Sequence, residues 1–241
     1  ARIATGKWFN AGQTCIGVDY VLVDAPRRDA FVTQISEQLK QRYGDFQSPR
    51  DYTRIINHAQ YARLQGYVDD ARARGLTVVE PLTAHLDDAA RAQLASERIF
   101  PPTLVLDPDA DAEVMRHEIF GPILPVVSYR TLDEALARIG ALDRPLALYP
   151  FSHDRGAIDR ILSGTLAGGV TINDTLLHFG ANDLPFGGIG PSGIGAIHGQ
   201  AGFDTFSKLL PVFRQRDFAG SDLLKPPYRG FVDRMVRLLV R

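Results

Sequence analysis

The chain has 241 residues, of which 45% are apolar and 23% are charged, a balance typical of a globular protein with a large core. Its net charge of −1 gives no basic surplus for a nucleic-acid partner, and no apolar run approaches the roughly 18 residues of a membrane span. The single cysteine excludes an internal disulfide, so we expect a reducing, cytoplasmic setting.

Predicted helices and strands alternate along most of the chain. A strand-like segment at 20–23 is followed by Phe31, Ile35 and Leu39, whose spacing places them on one helical face. In chain order, the sequence predicts helix 1–9, strand 20–23, helices 27–43 and 52–74, strands 76–81, 103–107 and 123–129, helix 131–142, strand 146–151, helix 154–166 and strand 168–173. This alternation favours an α/β domain with a mostly parallel sheet.

The pattern changes after residue 204. We interpret residues 205–216 as an extended arm, and a proline-rich hinge at 225–227 precedes a short amphipathic helix at 231–240. Arg234 and Arg237 interrupt the apolar residues of that helix, so we expect it to cover a surface rather than cross a bilayer.

Cys15 is the first candidate for chemistry. A lone cysteine most often serves as a small buried apolar side chain, but this one ends the small, polar segment FNAGQTC directly after a predicted helix. A turn of that composition can surround a thiol with backbone N–H groups, which favour the thiolate and hold an oxyanion formed by its attack. The setting therefore predicts a reactive cysteine in a bend.

The segment FNAGQTC resembles the active-site cysteine segment of aldehyde dehydrogenases. Further family-like segments follow in the expected order, and the last three are most similar to the class 3 branch, particularly to coniferyl aldehyde dehydrogenases. They are RHEIFGP at 116–122, PLALY at 145–149, GGVTIND at 168–174, LPFGGIGPSG at 184–193, HG at 198–199 and FDTFS at 203–207. Several ordered motifs together are far more specific than any one of them.

The resemblance implies a role for each matched residue. Cys15 matches the nucleophile, which attacks the aldehyde carbon to give a thiohemiacetal; a hydride then passes to NAD or NADP, and water cleaves the remaining thioester. The backbone N–H of Cys15 is one expected oxyanion donor. Glu118 matches the carboxylate that hydrogen-bonds the nicotinamide ribose, and Phe120 matches the ring near the nicotinamide. Without the motif, a solvated surface charge and a core aromatic would be the ordinary interpretations.

Three aromatic residues flank the matched segments. Phe9, Phe179 and Phe186 could line an apolar tunnel for an aromatic or fatty aldehyde, although such residues more often belong to an ordinary core. Asn173 matches a family asparagine that we expect to be structural.

Two other patterns carry less weight. Residues 188–193 fit G-x-G-x-x-G, but no clear strand precedes them and no βαβ unit follows, so we interpret them as a loop in which glycines let backbone approach the site. The sequence contains no HExxH or CxxC spacing, and we expect no metal site.

The resemblance also implies a domain organisation. Residues 1–204 correspond to the family's catalytic (thiol) domain, 205–216 to its oligomerisation strand and 217–241 to a tail with a helix. The family places its cofactor-binding domain, its general-base glutamate and its oxyanion asparagine before the cysteine, so we expect them to be absent from this chain and the chain alone to be inactive in oxidation. The arm is expected to form a homo-oligomer, a dimer, because an exposed strand edge pairs readily.

Two alternatives remain open at this point. The chain could be a truncated, non-catalytic oligomerisation partner of full-length subunits. It could also be a cofactor-free thiol esterase that uses Cys15. His178 and His198 lie in matched segments, but lone histidines are most often structural or exposed.

Overall fold

Alternating helices and strands make up most of the computed structural model, which describes residues 1–44, 46, 50–217, 226 and 230–240. Two units are distinguished, Ala1–Thr205 and the described residues from Phe206 on. The elements are, in chain order, α1 (Arg2–Trp8), β1 (Val21–Asp24), α2 (Arg28–Tyr43), α3 (His58–Ala73), β2 (Thr77–Val79), α4 (Asp88–Ser96), β3 (Thr103–Leu106), α5 (Glu113–Arg116), β4 (Ile123–Tyr129), α6 (Leu132–Gly140), β5 (Ala147–Leu148), α7 (Arg155–Gly164), β6 (Gly169–Val170), α8 (Leu177–Gly180), α9 (Gly199–Thr205) and α10 (Gly230–Leu239).

The main sheet has four strands in the order β1-β4-β3-β2. Its inner strand β4 pairs in parallel with both β1 and β3, whereas the edge strand β2 runs antiparallel to β3. A second, two-stranded sheet pairs β5 and β6 in parallel. The predicted α/β class with a mostly parallel sheet is therefore confirmed.

The core lies along β3 and β4. The apolar run at the start of β4, residues 123–127, is buried throughout, as expected for a strand covered on both faces. Ile35 and Leu39 of α2 are buried, and Phe31 packs partly buried against the core. The helical face predicted from the spacing of these three residues is therefore confirmed.

The predicted helix 52–74 begins later than expected. Asn57 caps α3, because its side chain accepts a hydrogen bond from the Gln60 N–H over 2.9 Å. The residues before it are held differently, since the N–H of Ile55 donates to the Arg98 carbonyl over 2.9 Å. Residues 52–56 are thus outside the helix, and the prediction was wrong for them.

The C-terminal unit contains the exposed arm and α10. Because α9 includes Thr205, the arm begins one residue later than predicted, and residues 206–217 form neither helix nor strand. Its apolar side chains are exposed at Phe206, Leu209, Leu210, Val212 and Phe213. The helix predicted at 231–240 is confirmed as α10, while positions 225 and 227 of the predicted hinge lie outside the described residues. None of the helices in the described part of the chain has the length and apolar character to span a bilayer.

Candidate active site

The Cys15 segment begins where α1 ends. Residues 10–12 take the left-handed backbone region in succession, with φ of 51°, 52° and 75°, so the chain leaves the helix in a sharp reversal. The N–H of Gly17 then donates to the Thr14 carbonyl over 2.8 Å and closes a turn around Cys15. Cys15 is exposed in this turn and does not fill a core position.

Gln13 ties this turn to the loop before α3. Its side-chain oxygen accepts a hydrogen bond from the Ile56 N–H over 2.9 Å, and its side-chain nitrogen donates to the Arg54 carbonyl over 3.1 Å. The side chain of Asn10 in turn donates to the Gln13 carbonyl over 3.0 Å. The side-chain amides of Asn10 and Gln13 therefore fix the backbone just before Cys15 and tie it to the loop that precedes α3.

Gly12 brings the cysteine segment against the FGP motif. A Cβ atom on Gly12 would lie 2.2 Å from the carbonyl oxygen of Gly121, so the two backbones are in direct contact. Nearby, the indole N–H of Trp8 donates to the Pro122 carbonyl over 3.0 Å. The two sequence motifs that lie far apart in the chain thus meet in the structure.

A cluster of charged side chains lies beside this contact. Lys7 is only 2% exposed although it carries an ammonium group. A carboxylate oxygen of Asp19 accepts a hydrogen bond from the Ile119 N–H over 3.0 Å, and Arg63 donates to the Ile119 carbonyl over 2.7 Å. Both backbone groups of Ile119 are therefore bound by charged residues, which fixes the residue between Glu118 and Phe120.

The pKa values in this cluster reflect burial and opposite charges. Burial lowers the pKa of Lys7 from 10.5 to about 8, while Asp19 and Glu118 act in the other direction. Burial also raises the pKa of Asp19, against the effects of Lys7, the Ile119 N–H and Arg63. The cluster therefore pairs two basic side chains with two acidic ones, and their opposite charges offset part of the cost of burial. They are Lys7, Arg63, Asp19 and Glu118.

Glu118 and Phe120 both face solvent on either side of the buried Ile119. Phe120 is 43% exposed and its φ of 43° lies in the left-handed region, so the ring is not a core residue. Partial burial and the charge on Asp19 raise the pKa of Glu118, and Arg63 and Lys7 oppose that increase. An exposed carboxylate and an exposed aromatic ring thus stand two residues apart, next to the Cys15 segment.

Phe179 and Phe186 belong to one aromatic group. Their rings pack edge to face with centres 5.0 Å apart. The rings of His178 and His198 each lie 5.9 Å from Phe186. Phe9 lies on the Cys15 segment itself, with 59% of its surface exposed.

Tyr149 connects this aromatic group with the Cys15 segment. Its ring lies 6.0 Å from that of His178, and its hydroxyl donates to the Ile16 carbonyl over 2.7 Å. Burial raises the pKa of Tyr149 to about 12, a hydrogen bond from the Leu176 N–H acts against this, and the charge on Cys15 adds to it. The sequence indicated Tyr149 as part of a predicted strand and of the family-like segment 145–149, but no spacing rule predicts its contact with Ile16.

Asn173 and His178 are held by local hydrogen bonds. The Asn173 side chain accepts from the Ser152 N–H and donates to the Ser152 carbonyl, both over 2.8 Å, which is the structural role we expected. Nδ1 of His178 lies 2.9 Å from the Thr171 hydroxyl, and burial lowers the pKa of His178. Asn173 therefore fixes the backbone at Ser152, and Thr171 fixes the ring of His178.

Comparison with known proteins identifies the family of this chain. The model of the aldehyde dehydrogenase family matches residues 1–211. This chain belongs to the aldehyde dehydrogenase family. It is 46% identical over 241 residues to the probable coniferyl aldehyde dehydrogenase of Pseudomonas aeruginosa, and 43% identical over 211 residues to aldehyde dehydrogenase family 3 member A2 of Mus musculus. These relatives confirm the resemblance to the class 3 and coniferyl aldehyde branch.

This aldehyde dehydrogenase chain is shorter than those relatives. The match covers all of the chain and 48% of the Pseudomonas protein, and 87% of the chain and 41% of the mouse protein. The structure of Staphylococcus aureus AldH in a substrate-bound state matches with a TM-score of 0.78 and 38% identity, covering 99% of this chain and 50% of that one. The chain therefore spans about half the length of the curated relatives it matches.

The glycine-rich segment of this aldehyde dehydrogenase chain, residues 188–193, is a tight loop. The backbone N–H of Ile189 donates to the Ser192 hydroxyl over 2.8 Å, which donates in turn to the Ile189 carbonyl over 3.1 Å. No helix follows until α9 at Gly199, so the segment is not the strand-to-helix turn of a dinucleotide fingerprint. The prediction of a loop is confirmed. Within the described residues, no group of three or more His, Cys, Asp or Glu side chains could hold a metal ion.

Replacing Lys7 by methionine tests the burial of its charge. The pKa of Lys7 in the folded chain, about 8, lies below its ordinary value of 10.5, so between these values the unfolded chain binds more protons. The free energy of unfolding of the wild type should therefore rise with pH in this window, relative to Lys7→Met, by about 1 kcal/mol per pH unit. Urea unfolding at about pH 8, 9 and 10 measures this difference.

Lys40→Met is the matched control, because Lys40 is exposed on α2 and pairs with Glu37 over 3.0 Å. Its difference from the wild type should stay nearly constant over the same pH range. A difference between the wild type and Lys7→Met that stays flat or decreases with rising pH would contradict the burial of the charge.

Proposed function

We propose that this chain is the thiol-bearing part of an NAD(P)-dependent aldehyde dehydrogenase that oxidises an aromatic, coniferyl-type, or a medium- or long-chain aldehyde to the carboxylic acid. The observation that carries this proposal is the exposed Cys15, whose segment contacts Gly121 through Gly12, in a chain of this family. The names of the relatives, which include coniferyl aldehyde dehydrogenases, support the aromatic substrate class.

Cys15 acts as the nucleophile in this proposal. Its thiolate sulfur bonds to the aldehyde carbon, and the carbonyl electron pair moves to oxygen to give a thiohemiacetal oxyanion. The backbone N–H of Cys15 is one donor to that oxygen. After loss of the hydride, the thioester on Cys15 is cleaved by water, which releases the carboxylic acid and restores the thiol.

Glu118 and Phe120 fit the nicotinamide end of the cofactor. The exposed carboxylate of Glu118 can accept hydrogen bonds from ribose hydroxyls, and the exposed ring of Phe120 offers an apolar face beside it. When bound, NAD or NADP accepts the hydride. Charges on Lys7 and Arg63 counteract the rise of the Glu118 pKa and so favour the ionised acceptor.

Phe179 and Phe186 supply an apolar wall for the substrate. Their edge-to-face packing gives a rigid aromatic surface, and Tyr149 links the adjoining His178 to the residue after Cys15. Phe9 adds an exposed ring on the Cys15 segment. Such a surface suits an aromatic or aliphatic aldehyde better than a charged one.

The arm at 205–216 supports a proposal about assembly. Its described residues from 206 on form neither helix nor strand and carry exposed apolar side chains, which favour pairing with a second copy as a homodimer. Size-exclusion chromatography with light scattering tests this. The cytoplasmic location expected from the single cysteine stays a prediction.

Acyl trapping tests the role of Cys15. The chain is incubated with p-nitrophenyl acetate, and intact-mass and peptide analysis locate the acetyl group. We expect one adduct, on the peptide that contains Cys15, and none in Cys15→Ser, because a hydroxyl in the same turn is far less nucleophilic. Thr14→Ser is the matched control and should retain the adduct.

Equal labelling of the wild type and Cys15→Ser, or labelling spread over lysines, would overturn the proposal. An adduct that turns over rapidly without cofactor would support the alternative of a thiol esterase.

A further inference from the structure

Tyr149 bridges the proposed nucleophile segment and a second loop. Its hydroxyl donates to the carbonyl of Ile16, the residue directly after Cys15, over 2.7 Å. The backbone N–H of Leu176 lies near the same oxygen and counteracts the rise of the Tyr149 pKa that burial causes. The Tyr149 hydroxyl therefore binds the Cys15 segment and faces the Leu176 loop.

The Leu176 loop is itself anchored to α1. Arg2 pairs with Asp174 over 3.4 Å, and the hydroxyl of the buried Thr175 donates to the Arg2 carbonyl over 3.3 Å. Leu176 has a φ of 66°, a left-handed conformation that is costly for a leucine and persists only where its surroundings enforce it. The loop is thus a fixed support for the Tyr149 hydroxyl.

We propose that Tyr149 is a positioning residue, whose hydroxyl holds the Ile16 carbonyl against the anchored Leu176 loop and thereby sets the orientation of the Cys15 turn. The turn carries both the sulfur atom and the backbone N–H that receives the oxyanion. This inference rests on the proposed function of Cys15. The hydroxyl remains a donor at working pH, because burial raises the pKa of Tyr149 to about 12.

Two reagents distinguish a positioning role of Tyr149 from a merely structural one. Cys15 is the only cysteine in the sequence, so thiol reagents report on it alone. With p-nitrophenyl acetate, the sulfur bonds to the ester carbon through a tetrahedral oxyanion and nitrophenolate leaves with the electrons of the broken C–O bond. Iodoacetamide alkylates the same sulfur by displacement of iodide, without an oxyanion.

Tyr149→Phe removes the hydroxyl and retains the ring. We expect the limiting rate of acylation to fall about tenfold, with the half-saturating ester concentration unchanged, and alkylation to change less than about threefold. Tyr129→Phe, at the end of β4 in register with Asp24, is the matched control and should leave both rates unchanged.

Hydrogen–deuterium exchange provides a second measurement on the same variants. Tyr149→Phe should exchange faster across residues 14–17 and 174–177, and Tyr129→Phe should not. Unchanged exchange, or acylation and alkylation reduced by the same factor, would overturn the positioning role. If the wild type shows no acylation that depends on Cys15, the proposed function fails, while the exchange result still decides whether Tyr149 holds the turn.

Discussion

Adding one methyl group at Gly12 is expected to lower the free energy of unfolding by about 3 to 5 kcal/mol. The Cβ of Gly12→Ala would lie 2.2 Å from the Gly121 oxygen and 2.6 Å from its carbonyl carbon, which are backbone atoms that cannot rotate away. The φ of 75° adds a cost for any residue with a side chain. Urea unfolding followed by far-UV circular dichroism measures the loss.

Gly66→Ala is the matched control, since it adds the same methyl group within α3. A Cβ at Gly66 meets no atom within 4 Å, so this change should raise the free energy of unfolding by about 0.5 to 1 kcal/mol. A Gly12→Ala variant that is as stable as the wild type would show that the two backbones do not touch as described.

Neutralising Asp19 is expected to cost about 2 to 4 kcal/mol at neutral pH. In Asp19→Asn the side-chain oxygen can still accept the hydrogen bond from the Ile119 N–H, so the variant removes chiefly the negative charge near Lys7. The buried ammonium group of Lys7 then loses one of its two compensating carboxylates, the other being Glu118.

A double-mutant cycle with Lys7→Met identifies the cause. Removing both charges should recover most of the stability lost in Asp19→Asn, because no uncompensated cation remains in the cluster. If the losses of the two single variants simply add in the double variant, Lys7 and Asp19 do not interact and the charge cluster is misassigned.

The main features of the fold could be predicted from periodicity. The spacing of Phe31, Ile35 and Leu39 predicted the buried face of α2, and residues 123–129 were predicted as the strand that the structure shows as β4. By contrast, α4 and α9 were not predicted; α4 buries only Leu94 and α9 buries no residue. Strands β5 and β6 are shorter than predicted, because pairing extends over two residues of each.

The segments that form the candidate site could be identified from motifs in the sequence. Cys15, Glu118 and Phe120 lie in recognisable segments, and the structure places those segments in contact. Lys7 and Tyr149 were not predicted, because a lysine is ordinarily solvated and a tyrosine in a strand ordinarily packs. Their roles arise from partners distant in the chain, the Asp19–Glu118 pair and the Ile16 carbonyl, which only the tertiary structure brings close.

The contact between Gly12 and Gly121 involves main-chain atoms on both sides. Mutation can add bulk there but cannot trim it, so the spacing between the backbones at residues 12 and 121 is a constant of the scaffold. Under the proposed function, differences in substrate preference are therefore expected to arise from side chains such as Phe179 and Phe186 rather than from this main-chain contact.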